Sequence, residues 1–199
     1  MPSFMESEIK LELPDSDIRY IPGFIETIRA SGYFEQLKKE TPWRQDDIRV
    51  FGKVYPQPRL TALYADNNKP YNYSNLTMHP IPFTPLLTDI KVKVEAMCGT
   101  RFTTCLLNLY RDGRDSNGWH ADNEKELGEN PVIASVSLGE ARYFHLKHRE
   151  NKNLKHKLEL GHGSLLLMQG PTQHHWLHQI PKTNRPIGER INLTFRVIQ

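Results

Sequence analysis

Cysteine is nearly absent: Cys98 and Cys105 are the only two in 199 residues, seven positions apart and without a CxxC partner pattern. That scarcity excludes a disulfide framework and leaves two reduced, buried thiols. No apolar run approaches the roughly 20 residues of a membrane span, and no charged-then-apolar leader opens the sequence. A soluble, intracellular protein of the cytoplasm or nucleus is expected, with no membrane partner. Internal repeats and low-complexity linkers are also missing, so a single monomeric domain over residues 1–199 is expected. Residues 1–20 hold few apolar positions and read as a loosely attached lead-in. A net charge of +3 is too small to mark a partner by itself.

What is present is sufficient for a core. Hydrophobic residues make up 38% of the chain and charged residues 25%, and a chain this long buries roughly two-thirds of its unfolded surface. Fourteen prolines and twelve glycines call for many turns. Between Pro22 and Leu37, Phe24, Ile25, Ile28, Phe34 and Leu37 recur at helical spacing around Ser31-Gly32, which predicts two short helices. Residues 41–82 read as extended segments joined by loops. Thr84-Pro85 predicts a helix start, Leu87, Ile90, Val94 and Met97 its apolar stripe, and Gly99 its end. From Phe102 the period changes to two. Strands are expected at Phe102–Tyr110, Val132–Leu138, Arg142–Lys147, Leu154–Leu160, Ser164–Gln169, His175–Ile180 and Arg190–Ile198. Seven short strands imply a mainly β (α+β) fold, an antiparallel sandwich or jelly roll with helices packed outside.

The last strand carries the first chemical signal. In Arg190-Ile-Asn-Leu-Thr-Phe-Arg196, three apolar residues alternate with Arg190, Asn192, Thr194 and Arg196, so one face is wholly polar. If the apolar face meets the helices, two arginines point into the barrel and need an anionic partner, which a dicarboxylate would supply. The second signal is Trp119-His120-Ala121-Asp122, where His120 and Asp122 project to the same side of extended backbone. His178 is a candidate third ligand, with His174 and His175 as competitors. Two histidines and one carboxylate form a facial triad that leaves three metal positions open, as an oxygenase requires.

A third feature is charge distribution. From Arg142 to Lys157, six Lys or Arg stand against Glu150 alone, with His145, His148 and His156 interleaved. That run is either a solvated polar face or a phosphate-contacting stripe.

Asn108-Leu-Tyr110, His120-Ala-Asp122, His178 and the closing Arg190–Arg196 motif together resemble the AlkB family of alkylation-repair dioxygenases, from about Val50 to the C-terminus. The resemblance implies a double-stranded β-helix core over 101–199 and a nucleotide-recognition lid over about 41–82. It also implies Fe(II), 2-oxoglutarate and oxidative demethylation of bases such as 1-methyladenine and 3-methylcytosine, in DNA foremost and RNA as the alternative. Iron would then be held by His120, Asp122 and His178, and 2-oxoglutarate by Asn108, Tyr110, Arg190, Asn192, Thr194 and Arg196. Arg190 would take the distal carboxylate and Arg196 the C1 end. A damaged base must leave the stack to be reached. In such a lid Tyr73 would stack on it opposite His120, Tyr71 and Glu124 would meet its edge, and Arg59 would contact the substrate. Phe51 is either a wedge in the duplex or a buried strand residue. Val50–Lys53 is similar to duplex-preferring members, whereas 58–64 and 71–78 are similar to single-strand-preferring ones.

Other readings are a dioxygenase of the same chemistry acting on RNA, protein or a small molecule, a zinc hydrolase on the same ligands, and a metal-free nucleic-acid-binding barrel. The hydrolase leaves the inward arginines without a purpose.

Overall fold

Period-two alternation over the second half of the chain builds two facing sheets. The computed structural model describes residues 8–50, 53–67, 71–73 and 76–198. In chain order the first elements are β1 (Ile9–Lys10), β2 (Asp17–Ile21), α1 (Thr27–Glu40), β3 (Asp47–Val50), β4 (Lys53–Pro56) and β5 (Leu60–Ala65). Then come β6 (Tyr71–Tyr73), β7 (Leu76–Met78), β8 (Ile81–Pro82) and α2 (Pro85–Cys98). The strand-rich half follows as β9 (Thr104–Tyr110), β10 (Asn117–His120), β11 (Ile133–Gly139), β12 (Arg142–His148) and β13 (Lys155–Leu160). It closes with β14 (Ser164–Gln169), the short helix α3 (Thr172–His175), β15 (Trp176–Ile180) and β16 (Arg190–Arg196).

Among the described residues, the larger sheet runs β1-β2-β14-β11-β16-β9-β5-β8 and the smaller β10-β15-β12-β13. From β9 to β16 the chain passes back and forth between the two sheets, except that β12 and β13 are a hairpin within the smaller one, as in a double-stranded β-helix. Pairing is antiparallel except for β5 with β8. On one face of the larger sheet Leu107, Val136, Leu165, Ile191, Leu193 and Phe195 pack against the helices. On its other face Tyr110, Ile133, Leu166 and Met168 meet Phe144, Leu146 and Trp176 of the smaller sheet. No helix among the described residues is long and apolar enough to cross a membrane.

Helix α2 follows its sequence signals closely. Thr84 accepts the Leu87 N–H on its hydroxyl, Pro85 occupies the first turn, and Gly99 ends the helix in the left-handed region at φ 66°. Helix α1 departs from expectation, being one uninterrupted 14-residue helix in place of two. A helical glycine costs roughly 1 kcal/mol, and the burial of Ala30 and Leu37 against the sheet outweighs that cost at Gly32.

The lead-in is also corrected. Residues 17–21 form β2, paired with β14, and Ile18 is fully buried. A five-residue segment has too few apolar positions to announce itself, but its backbone completes the larger sheet. Within residues 41–82, β3–β4 and β6–β7 are separate two-stranded hairpins, yet β5 between them belongs to the larger sheet through β9.

Candidate iron and cosubstrate site

Register places the polar face of β16. Asn192 lies opposite Asn108 of β9 on one side and Ser137 of β11 on the other, and Arg190 lies opposite Tyr110. Asn192 Nδ2 donates to Ser135 Oγ at 2.6 Å, and the Thr194 hydroxyl donates to Asn192 Oδ1 at 2.9 Å. Arg190 is 1% exposed, and its Nη2 donates to Ser137 Oγ at 2.9 Å. Its Nε and Nη1 have no acceptor in hydrogen-bond geometry among the described residues. Burial pushes this guanidinium down to about 10, with the Tyr110 ring 5.3 Å away. A buried cation with two orphaned donors calls for an anion, because desolvating it unpaired is costly. Arg190, Asn192, Thr194, Asn108 and Tyr110 all line one cavity.

The same cavity reaches His120, Asp122 and His178. His120 ends β10 and pairs in register with His178 of β15. Asp122 follows two residues later, where the chain leaves the strand. The two imidazoles are 4.2 Å apart between ring centres, and Asp122 Oδ2 is 4.0 Å from His178 Nε2. One ligand atom from each residue lies within 4.8 Å of the others. His120 Nδ1 sits 2.7 Å from the Gly118 carbonyl, which can only accept, so Nδ1 carries the proton and Nε2 presents its lone pair. The Asn117 amide meets that Nε2 at 3.2 Å, as a donor should. Phe144 stacks on His178 at 5.1 Å and fixes its ring plane.

Electrostatics suit a divalent cation. Burial lowers His120, and burial with the neighbouring His120 brings His178 down to about 3, so both rings are neutral at ordinary pH. Burial alone would raise Asp122, but Arg196 and then the two histidines outweigh it and hold the carboxylate below its usual range. Arg196 Nη2 donates to Asp122 Oδ1 at 2.7 Å. Two neutral imidazoles and one carboxylate on one side of a cavity fit Fe(II) with open positions. Arg196 itself lines the same cavity.

The competing histidines lie elsewhere. His174 Nε2 pairs with Asn130 Oδ1 at 3.1 Å. His175 gathers with His148 and Asp15 in a second group of ligand-type atoms. There, His148 Nδ1 accepts the N–H groups of Glu150 and Asn151, so Nε2 carries the proton and faces Asp15 at 3.4 Å. A proton stands where a metal would need a lone pair.

The substrate residues expected from sequence are placed unevenly. Arg59 is 4% exposed, donating Nε to Asn108 Oδ1 at 2.8 Å and Nη1 to the Ser116 carbonyl at 3.1 Å. It is therefore a buried brace for Asn108 and not a surface contact, because its guanidinium finds acceptors inside. Glu124 is half-buried just past Asp122, ahead of the short turn Lys125–Leu127, and is not among the residues lining the cavity. Tyr71 and Tyr73 lie at the two ends of β6, with Tyr71 paired to Met78 and Tyr73 to Leu76. Phe51 falls outside the described residues.

The basic run lies on the smaller sheet, and alternation sorts it. Arg142 turns inward and donates to the carbonyls of Asp115 and Pro181. Tyr143, His145 and Lys147 turn outward. Lys147 Nζ lies 4.3 Å above the Trp119 ring, and Lys157 Nζ lies 3.5 Å above the Tyr143 ring.

Sequence reasoning missed Ser135, Ser137 and Gln173. The serines had a signal, two hydroxyls at alternate positions of an otherwise apolar strand. Gln173 had none: its Oε1 accepts the Asp122 N–H at 2.9 Å across 51 positions.

Comparison with known proteins agrees with this geometry. The model of the 2OG-Fe(II) oxygenase superfamily matches residues 17–196. "Alpha-ketoglutarate-dependent dioxygenase alkB homolog 3" of Mus musculus is 41% identical over 186 residues, covering 89% of this chain and 64% of that protein. The chain thus spans less than two-thirds of that relative's length. "DNA oxidative demethylase ALKBH2" of Homo sapiens is 38% identical over 179 residues, covering 85% of this chain and 69% of that protein. Among solved structures, "The structure of OsALKBH1" shares the fold at a TM-score of 0.63 and 14% identity, covering 96% of this chain and 100% of that one. Its fold, its His-Asp-His group and these relatives place the chain in the 2OG-Fe(II) oxygenase superfamily and, within it, in the AlkB family.

Proposed function

We propose that this chain oxidatively removes N-alkyl groups, such as those of 1-methyladenine and 3-methylcytosine, from nucleic-acid bases, DNA foremost. One observation carries the reading: a neutral-His, ionised-Asp, neutral-His group shares its cavity with the buried, orphaned donors of Arg190. His120, Asp122 and His178 are the iron ligands. Arg190 takes the distal carboxylate of 2-oxoglutarate by a charge-assisted contact, and Asn108, Tyr110, Asn192 and Thr194 line its seat. Arg196 holds the Asp122 carboxylate in place and completes the polar face. When bound, iron and 2-oxoglutarate would let O2 act as the oxidant, one oxygen atom turning an N-methyl into an N-hydroxymethyl group that leaves as formaldehyde and the other passing into succinate as 2-oxoglutarate loses CO2. The chain's own work is to seat the cosubstrate, aim the damaged base and keep the ligand set rigid.

The surface supports a nucleic-acid substrate. Trp119 and Tyr143, each covered by a lysine, offer rings for bases and cations for phosphates on one sheet face. The hairpins β3–β4 and β6–β7, with Tyr71 and Tyr73, form the lid over the extruded base. In this reading residues 1–199 are one monomeric unit.

The test is a panel of methylated DNA and RNA oligonucleotides incubated with the protein, Fe(II), 2-oxoglutarate and ascorbate. Loss of one CH2 mass per damaged base, as N-methyl becomes N–H, matched by formaldehyde and succinate, is the expected result. Cosubstrate turnover stimulated only by a peptide or a small metabolite would overturn the nucleic-acid reading.

A further inference from the structure

Gln173 belongs to no feature named so far except one hydrogen bond, and its burial is complete at 0% exposure. Its carboxamide is bonded at both ends. Oε1 accepts the main-chain N–H of Asp122 at 2.9 Å, and Nε2 donates to the Met168 sulfur at 3.6 Å. Chemistry fixes this orientation, because the flipped amide would set N–H against N–H. The residue sits on α3, a four-residue helix that is itself pinned: the Thr172 hydroxyl accepts the Asp17 N–H of β2 at 2.9 Å.

Asp122 needs such an anchor. It lies where the chain has already left β10, so no sheet partner fixes its backbone. Its carboxylate is held by Arg196 at 2.7 Å, while its N–H faces the interior and would be orphaned without Gln173. Two points are required to set the direction of a carboxylate, one at the head and one at the backbone.

We propose that Gln173 is a positioning residue for the iron site, aiming the Asp122 carboxylate between His120 and His178. The inference rests on the assignment of Asp122 as an iron ligand. Groups that orient metal ligands typically contribute 10- to 100-fold to metal affinity. Gln173→Met keeps length and apolar volume but removes the acceptor, whereas Gln173→Glu keeps an acceptor oxygen in the same place.

The experiment is anaerobic titration of Fe(II) into each full-length variant, read by the visible charge-transfer band with 2-oxoglutarate, beside thermal melting of the metal-free proteins. Gln173→Met is expected to weaken Fe(II) binding about 10- to 100-fold and shift the band, and Gln173→Glu to stay within a few-fold of the parent. Wild-type affinity in Gln173→Met, or equal losses in the Met and Glu variants, would overturn the inference and leave Gln173 a packing residue. If Gln173→Met fails to fold, Gln173→Asn is read instead, since its amide is one methylene too short for the Asp122 N–H. The same loss is expected, and wild-type affinity would count against the proposal. Asp122→Ala separates the two readings: intact iron binding there means that the ligand assignment failed and the inference with it, whereas lost binding there beside wild-type affinity in Gln173→Met overturns the role of Gln173 alone.

Discussion

Arg196 and Asp122, 74 positions apart, are joined by a 2.7 Å hydrogen bond between almost fully buried side chains. The other arginine of the strand, Arg190, is bonded to Ser137 and keeps two donors toward the cavity. Six residues of strand separate them by roughly 20 Å, too far for both to grip one carboxylate. Their variants should therefore fail differently. Arg190→Lys keeps the charge and loses the planar fork, so the KM for 2-oxoglutarate should rise strongly while Fe(II) and oligonucleotide affinities hold. Arg196→Gln should weaken Fe(II) binding instead. The reverse pattern, or weaker DNA binding in Arg190→Lys, would sink this division of roles.

The ligand set makes a second prediction. His120→Ala, Asp122→Ala and His178→Ala should each abolish turnover and Fe(II) binding, because each removes a donor from a set of three. His174→Ala and His175→Ala should retain both, since neither ring reaches that cavity. Iron titrations of the five variants decide it.

Base recognition is separable from the oxidative chemistry. Tyr73→Ala should lower affinity for a methylated oligonucleotide by roughly 5- to 150-fold, the scale of ~1–3 kcal/mol for base–aromatic stacking. Turnover of 2-oxoglutarate without substrate should persist. Equal loss of both activities would assign Tyr73 to the fold.

Salt dependence tests the outer face of the smaller sheet. Lys147→Glu and Lys157→Glu should weaken binding to any sequence and flatten the plot of log affinity against log salt, by about 0.7–0.9 for each phosphate no longer neutralised. Unchanged slopes in both variants would return this face to ordinary solvated surface.

Gly163 offers a stability test away from the chemistry. Its φ is +74°, and a Cβ there would lie 2.3 Å from the Ile25 carbonyl oxygen. Gly163→Ala should lower stability by at least about 1–3 kcal/mol, the cost of a strained left-handed residue, read by thermal melting. Wild-type stability would mean that the turn before β14 relaxes freely.

Where a single segment carries its own periodicity, the sequence was enough. Thr84, Pro85 and Gly99 bounded α2 because capping is a local exchange of hydrogen bonds. The alternation in Arg190–Arg196 determined that four polar side chains share a face, since strand geometry allows nothing else. His120 and Asp122, two apart, were legible for the same reason. Tertiary structure alone decided the rest. It carried α1 through Gly32 and drew residues 17–21 into the larger sheet, because the favourable contacts come from residues far away in sequence. It brought His178, and not His174 or His175, beside His120 by pairing β15 with β10. It turned Arg59 inward onto Asn108, and it brought Gln173 to the Asp122 N–H across 51 positions. Local patterns fix which way a side chain points along its own strand. What it meets there depends on how distant strands are paired, and no window of the sequence records that.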